Sequence, residues 1–251
     1  MEKITASKNP LIKTLKSLTK RSAREENGMF LVEGEVMIKE ALKCGLRIKT
    51  ALCTENCAVF AETLPCETKL TTPEIIKQVC DTVTPQGICA AFELIKPLDV
   101  NALPDKIIAM DGVQDPGNTG TIWRTADAAG MNALLFGAGC ADPLSPKVQR
   151  SSMGSGFRVP FAVTESLPDT LSMLKSKGYT IICSDLHGEY FYSHKPIGKK
   201  YVLVIGNEAN GISDATRATA SMLLKLPMYG GAESLNAAVA AGIMMYELIR
   251  V

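Results

Sequence analysis

Val202-Leu203-Val204-Ile205-Gly206-Asn207-Glu208-Ala209-Asn210-Gly211, followed by Leu223-Leu224-Lys225-Leu226-Pro227-Met228-Tyr229-Gly230-Gly231, sets the architecture of this chain. Each stretch is a short apolar run that breaks into residues unable to continue either helix or sheet. β-Branched and leucine residues bounded by glycine and proline read as buried parallel strands. The second loop opens a helix of small residues from about Ser234. In open α/β sheets, ligands sit beyond the carboxyl ends of such strands, where helix N-termini offer unpaired N–H groups. The chain from Tyr201 onward therefore reads as a binding site made of two loops.

Working back from there, Ile107-Ile108-Ala109-Met110 is a further strand ending at Asp111. The loop 112–120 delivers a helix over 121–129, closed by Gly130 as its C-cap. Three loops, after Asp111, Ile205 and Leu226, leave carboxyl ends of parallel strands and should converge at one edge of the sheet. Asn118, Arg124, Glu208, Ser234 and Asn236 then share a pocket. Arg124 offers a planar fork of donors suited to phosphate or ribose. Read alone, it would be a surface ion-pair arginine, and Glu208 a carboxylate tying down the N–H groups of its own loop. Leu134 to Gly139 ends in G-x-G, but it lacks the third glycine of a dinucleotide loop and is not the first strand of its domain.

Composition excludes several classes. The chain has 251 residues, 46% hydrophobic and 21% charged, with a net charge of +1, an ordinary globular balance with room for two domains. No apolar run is long enough to span a bilayer, and the N-terminus lacks the apolar core of a secretory signal. Eight cysteines with no C-x-x-C pair, and two histidines, His187 and His194, far from most of them, predict free thiols in a reducing compartment and no metal site. A cytoplasmic protein is expected. His187 falls in a loop after the strand 180–184, with nothing nearby to pair with it as a base would need. Tyr190, Phe191 and Tyr192 either stack on bases or pack under the sheet.

The front of the chain differs. Lys3, Lys8, Lys13, Lys16, Lys20, Arg21 and Arg24 face only Glu2. Leu11, Ile12, Leu15 and Leu18 have helical spacing from Pro10, which turns Lys13, Lys16 and Lys20 toward solvent. Two readings stand: a solvated face, or a patch that neutralises phosphates. Alternating short strands and helices follow from Met29 to Phe92. Glu33 reads as a cap for the helix after it. Polar residues and two prolines over 96–105 mark a linker, dividing the chain into 1–95 and 106–251.

Gly206-Asn207-Glu208, then Leu226-Pro227-Met228, then Ser234-Leu235-Asn236, preceded by Asn118-Thr119-Gly120-Thr121-Ile122-Trp123-Arg124, resembles the ordered motifs of the SpoU/TrmH family. These are RNA ribose 2′-O-methyltransferases of the knotted SPOUT class. Pro146-Lys147-Val148-Gln149-Arg150-Ser151-Ser152-Met153-Gly154 is similar to the same family. Ser7-Lys8-Asn9-Pro10 and Phe30-Leu31-Val32-Glu33-Gly34 resemble its front substrate-binding domain, related in fold to small RNA-binding ribosomal proteins. The resemblance implies an α/β fold: a parallel sheet with a deep trefoil knot, behind a small α/β RNA-binding domain. It implies a homodimer, with one subunit's arginine completing the other's site. It also implies S-adenosylmethionine as cofactor, held by Gly206, Leu226 and Leu235 with the adjoining Ile205 and Met228, and no metal.

In the family the first-motif arginine is cast as activating the ribose hydroxyl. An arginine with a pKa above about 12 is a poor base. Orienting the ribose phosphate and stabilising the forming alkoxide suit Arg124 better, with Asn118, Glu208, Ser234 and Asn236 completing the network. The added front domain leans toward ribosomal rather than transfer RNA. A non-catalytic RNA-binding or ribosome-assembly protein on the same fold, and a base-methylating knotted enzyme, are the alternatives.

Overall fold

A computed structural model describes residues 1–80, 82–193 and 197–250. The chain forms two compact units, Met1–Lys96 with Leu144–Phe157, and Pro97–Pro143 with Arg158–Val251. The single cut expected at 96–105 is therefore supplemented by a returning segment.

In the first unit, α1 (Pro10–Ser17) and α2 (Arg21–Asn27) precede β1 (Met29–Glu33), α3 (Glu35–Lys43), β2 (Ile48–Cys53), α4 (Ala58–Ala61), β3 (Glu67–Leu70), α5 (Pro73–Cys80) and β4 (Ile88–Glu93). The strands pair in the order β1-β4-β2-β3. Side chains alternate across a strand, and both faces here are apolar. Leu31, Leu52, Cys89 and Ala91 pack with Ile12, Leu15, Ile76 and Val79 of α1 and α5. Phe30, Val32, Ala51, Ala90 and Phe92 pack with Ile38 and Ala41 of α3 on the other side. Phe157 joins that second cluster, its ring centroid 6.2 Å from Phe30. This contact brings the returning segment into the unit.

Two charged side chains differ from their expected roles, and both lie inside. Arg24 is buried and donates to the carbonyls of Leu18 (2.9 Å) and Thr19 (3.1 Å), closing the end of α1. Glu33 does not cap α3, whose first turn has no side-chain cap. It is buried, accepts from Thr82 Oγ1 and the Gln86 amide at 3.2 Å each, and faces Arg150 at 3.6 Å. Lys8, Lys13, Lys16 and Lys20 are exposed as expected.

The segment 144–157 contains α7 (Pro146–Ser152) and opens α8 (Ser155–Arg158). In chain order the second unit holds β5 (Lys106–Asp111), α6 (Pro116–Ala128), β6 (Ala133–Phe136), β7 (Phe161–Val163), α9 (Leu167–Ser176), β8 (Thr180–Tyr190), β9 (Tyr201–Gly206), α10 (Asp214–Thr219), β10 (Met222–Lys225) and α11 (Ala237–Ile249). Six strands pair in the order β10-β8-β9-β5-β6-β7, every pair parallel. Ile107, Ala109, Leu135, Val202 and Val204 pack against Leu171 and Leu174 of α9. On the other parity, Phe136 meets Trp123 of α6 with ring centroids 5.4 Å apart, and the indole N–H donates to the Val159 carbonyl at 3.0 Å. Burial on both faces is why these strands read as unbroken apolar runs.

Three boundaries shift, each for a local reason. α6 starts at Pro116, because Asp115 caps it and proline suits the first helical position. The last helix starts at Ala237 with Asn236 as its cap, leaving Ser234 and Leu235 in the loop. β8 runs on to Tyr190, but residues 184–188, His187 among them, bulge out of its pairing with β10 before Glu189 rejoins it.

Candidate functional site

The carboxyl ends of β5 and β9 lie side by side, with Asp111 opposite Gly206 in the register. Each end is tied down by the chain that follows. Asp111 Oδ2 accepts from the Ser213 amide (2.8 Å) and hydroxyl (2.9 Å), which anchors the start of α10. Asn207 Nδ2 donates to the Gly112 carbonyl at 2.7 Å, and its Oδ1 accepts from the amides of Ala209 (2.9 Å) and Asn210 (3.1 Å). Asn207 and Gly211 exchange two backbone hydrogen bonds of 2.9 Å, closing the 206–211 loop. A Cβ on Gly206 would lie 2.2 Å from the Gly211 carbonyl carbon, so only glycine permits this closure.

Asn118 in the first turn of α6, Glu208 in the loop after β9 and Asn236 at the cap of α11 meet here. Asn236 Oδ1 accepts from the amides of Ala238 (2.9 Å) and Val239 (3.3 Å), which can only donate. That fixes the orientation of the side-chain amide. Its Nδ2 then points at Asn118 Oδ1, 2.8 Å away. Asn118 Nδ2 must in turn face outward, and it donates to Glu208 Oε1 at 2.9 Å. The helix cap at α11 thus sets the polarity of a chain of hydrogen bonds ending on a carboxylate. Asp115 holds the middle member, accepting from the Asn118 amide at 2.7 Å.

Arg124 and Ser234 stand outside this chain. Both are exposed, and neither side chain makes a hydrogen bond or ion pair among the described residues. Because α6 begins before Asn118, Asn118 and Arg124 lie on one helix about 120° apart around its axis and about 9 Å along it. The six-residue spacing suggests a shared flank of the helix, but about 100° per residue turns the two side chains apart instead. Ile205 and Leu226 are buried, Met228 is partly buried and Leu235 is 37% exposed. From 227 to 235 no residue forms a hydrogen bond among the described residues. The backbone donors and acceptors of this run, which follows buried Leu226, are therefore open to outside partners.

Asp111, Asp115 and Asn207 were not singled out from the sequence. Asp115-Pro116 carries a helix-start signal, and Asn207 before Gly211 a turn signal. Asp111 carries none, since its partner is 102 residues away.

Among the described residues no three His, Cys, Asp or Glu side chains lie where they could hold a metal ion. Burial pushes the Cys183 thiol up to about 12 and Cys53 to about 11, keeping both protonated. His187 has a neighbour after all, with Nδ1 3.4 Å from Asp185 Oδ1, but that carboxylate is engaged by Arg217 and the His187 amide. His194 lies outside the described residues. No helix among the described residues is long and apolar enough to cross a membrane.

Residues 105–246 match the SpoU rRNA Methylase family, and residues 9–90 the MRM3-like substrate binding domain. The chain is 35% identical over 249 residues, 99% of each chain, to the 23S rRNA (guanosine(2553)-2′-O)-methyltransferase RlmP of Bacillus subtilis (strain 168). Among solved structures it is similar to the AdoMet-bound rRNA methyltransferase from Sinorhizobium meliloti, with a TM-score of 0.88, 29% identity and coverage of 99% of this chain and 97% of that one. The SpoU methyltransferase AviRb from Streptomyces viridochromogenes, in complex with the cofactor AdoMet, gives a TM-score of 0.86 at 28% identity, over 97% of this chain and 98% of that one. With its ordered motifs on three converging loops and its family match running through the whole parallel sheet, this chain belongs to the SpoU rRNA methylase family.

Proposed function

We propose that the protein transfers a methyl group from S-adenosylmethionine to a ribose 2′-hydroxyl of ribosomal RNA in the cytoplasm. The observation that carries this reading is the directed chain from Asn236 through Asn118 to Glu208, set beside an open stretch of backbone at the carboxyl edge of a parallel sheet. Gly206, Leu226 and Leu235, with Ile205 and Met228, are the residues we assign to the cofactor. When bound, it supplies an electrophilic methyl group on a sulfonium sulfur. The protein's tasks are to hold the ribose oxygen at attack distance and to ease departure of its proton. Glu208 accepts a hydrogen bond and can relay that proton, while Asn118 holds the carboxylate in place. Arg124, whose side chain has no partner among the described residues, is free to grip the RNA phosphate and steady the developing alkoxide. Ser234, in the same loop as Leu235, completes the polar edge.

The homodimer belongs to the same reading. Val239, Ile243 and Tyr246 recur at i, i+4 and i+7 on α11 and are 51%, 38% and 51% exposed. The sequence pattern suggests a helix buried all round, but α11 buries only the side that packs on α6 and β9. An apolar stripe of this kind asks for a partner, and a second copy would bring another Arg124 to the site. Wild-type protein is expected to sediment as a dimer and Ile243→Glu as a monomer; an Ile243→Glu dimer as tight as the wild type would remove α11 from the interface. The trefoil knot is also part of this proposal, supported by α11 returning from edge strand β10 to pack at β9.

The match to RlmP over the whole chain makes 23S rRNA lacking its methyl groups the first substrate to test. Full-length protein, methyl-labelled S-adenosylmethionine and that RNA are expected to yield label on ribose after digestion to nucleosides. Label on a base, or tight RNA binding without transfer, would overturn the proposal. Arg124→Lys is expected to cut turnover about a hundredfold, since an ammonium lacks the two-pronged donor geometry. Near-normal turnover in this variant would refute the role given to the arginine.

A further inference from the structure

Beyond the methyl-transfer centre, we infer that Tyr190 and Tyr192, with Lys225, form a stacking platform for an unpaired base of the RNA substrate. The inference rests on the proposed action on RNA and adds a subsite to it. Its starting point is an irregularity in the sheet. Opposite the adjacent residues Leu223 and Leu224 of β10, β8 presents Cys183 and then Glu189, so residues 184–188 leave the ladder and return. Gly188 makes the return possible, because a Cβ there would lie 2.4 Å from the Leu223 carbonyl. The outcome is that Tyr190 pairs with Lys225 at the carboxyl end of the sheet, the edge from which the 206–211 and 226–236 loops depart.

What these residues do with their side chains separates them. Phe191 is fully buried, while Tyr190 and Tyr192 are each 56% exposed. Lys225 Nζ sits 4.9 Å from the centroid of the Tyr190 ring, and no carboxylate pairs with it among the described residues. Tyr192 is braced edge-on by Phe191, with centroids 6.2 Å apart. A third ring, Tyr229, is 94% exposed in the loop that leaves β10.

Exposed rings beside an uncompensated cation suit a nucleotide, whose base offers a flat π face and whose phosphate offers the charge. An apolar protein surface would cover the rings and strand the lysine. Only a splayed-out base can reach such rings, because paired bases in an A-form helix keep their faces stacked. The platform therefore selects a single-stranded segment of the RNA at the same carboxyl edge of the sheet as the proposed methyl-transfer centre.

The test is a titration of full-length protein into a short 2-aminopurine-labelled single-stranded RNA, and into the same RNA annealed to its complement. Wild-type protein should quench the single strand and affect the duplex little. The Tyr190→Ala, Tyr192→Ala double variant should bind the single strand about five- to a hundredfold more weakly and lose the quenching. Tyr190→Phe, Tyr192→Phe should retain both, with unchanged circular dichroism and S-adenosylmethionine affinity in each variant. Wild-type affinity and quenching in the alanine variant would overturn the inference while leaving methyl transfer standing. So would dissociation of a dimer at unchanged RNA affinity, which would assign the rings to a subunit contact. Failure of the wild type to transfer methyl, with the quenching pattern intact, would sink the proposed reaction and not the platform.

Discussion

Asn118→Ala is expected to slow methyl transfer about a hundredfold at saturating RNA and cofactor, the cost of about 1 Å of misplacement at a reacting centre. Asn118 links Asn236 to Glu208 in the hydrogen-bonded chain, with bonds of 2.8 and 2.9 Å. Each bond contributes about 1 kcal/mol net to stability, so the fold survives the change. What is lost is the position of the Glu208 carboxylate, which sits on an exposed loop. Affinity for S-adenosylmethionine, measured by calorimetry, should change no more than a few-fold. Asn118→Asp tests the polarity of the chain: it keeps an acceptor for Asn236 but sets one carboxylate against another. Its turnover should fall at least as far as that of alanine, and a fully active Asn118→Asp would show that the donation to Glu208 has no part in the reaction.

Gly206→Ala should abolish cofactor binding outright. The added methyl would meet the Gly211 carbonyl carbon at 2.2 Å and the Ile212 nitrogen at 2.4 Å, and both are backbone atoms. No rotamer relieves a clash with backbone, so the loop must open. Opening breaks the paired Asn207 and Gly211 bonds of 2.9 Å and carries Glu208 away from Asn118. Overpacking of this kind costs about 1–3 kcal/mol, and most of that cost falls on the loop because β9 itself is held on both sides, by β5 and β8. The expected result is no detectable heat on titration with S-adenosylmethionine and a cooperative melt preserved at lower temperature. Wild-type affinity in this variant would place the cofactor away from the 206–211 loop. The two substitutions thus separate turnover from binding, although the residues lie in one cluster.

Much of the second unit was legible because its signals are local. Val202 to Ile205 and Ile107 to Met110 read as buried strands from their unbroken apolar runs, and both fall in central positions of the sheet. Asp115 with Pro116, and Asn236, carry helix-start chemistry that explains the shifted boundaries of α6 and α11. The first unit was less transparent where charge was concerned. Arg24 reads as part of a basic surface run, yet it is consumed closing the end of α1. Glu33 reads as a helix cap, yet it reaches the 82–86 loop and Arg150 instead. Whether a charged side chain turns in or out depends on carbonyls and partners that the neighbouring sequence does not specify.

By itself the sequence determined the central strands, the order of the loops that follow them and the kinds of side chain each loop carries, since these follow from periodicity and from residues that stop helix or sheet. Only the tertiary structure decided which of those side chains meet. Asn118 reaches partners 90 and 118 positions away, through a strand order that no local pattern encodes. It likewise decided that Phe191 turns into the core while the tyrosines on either side face out: the return of β8 to β10 depends on a close approach of Gly188 to a strand more than thirty residues further on.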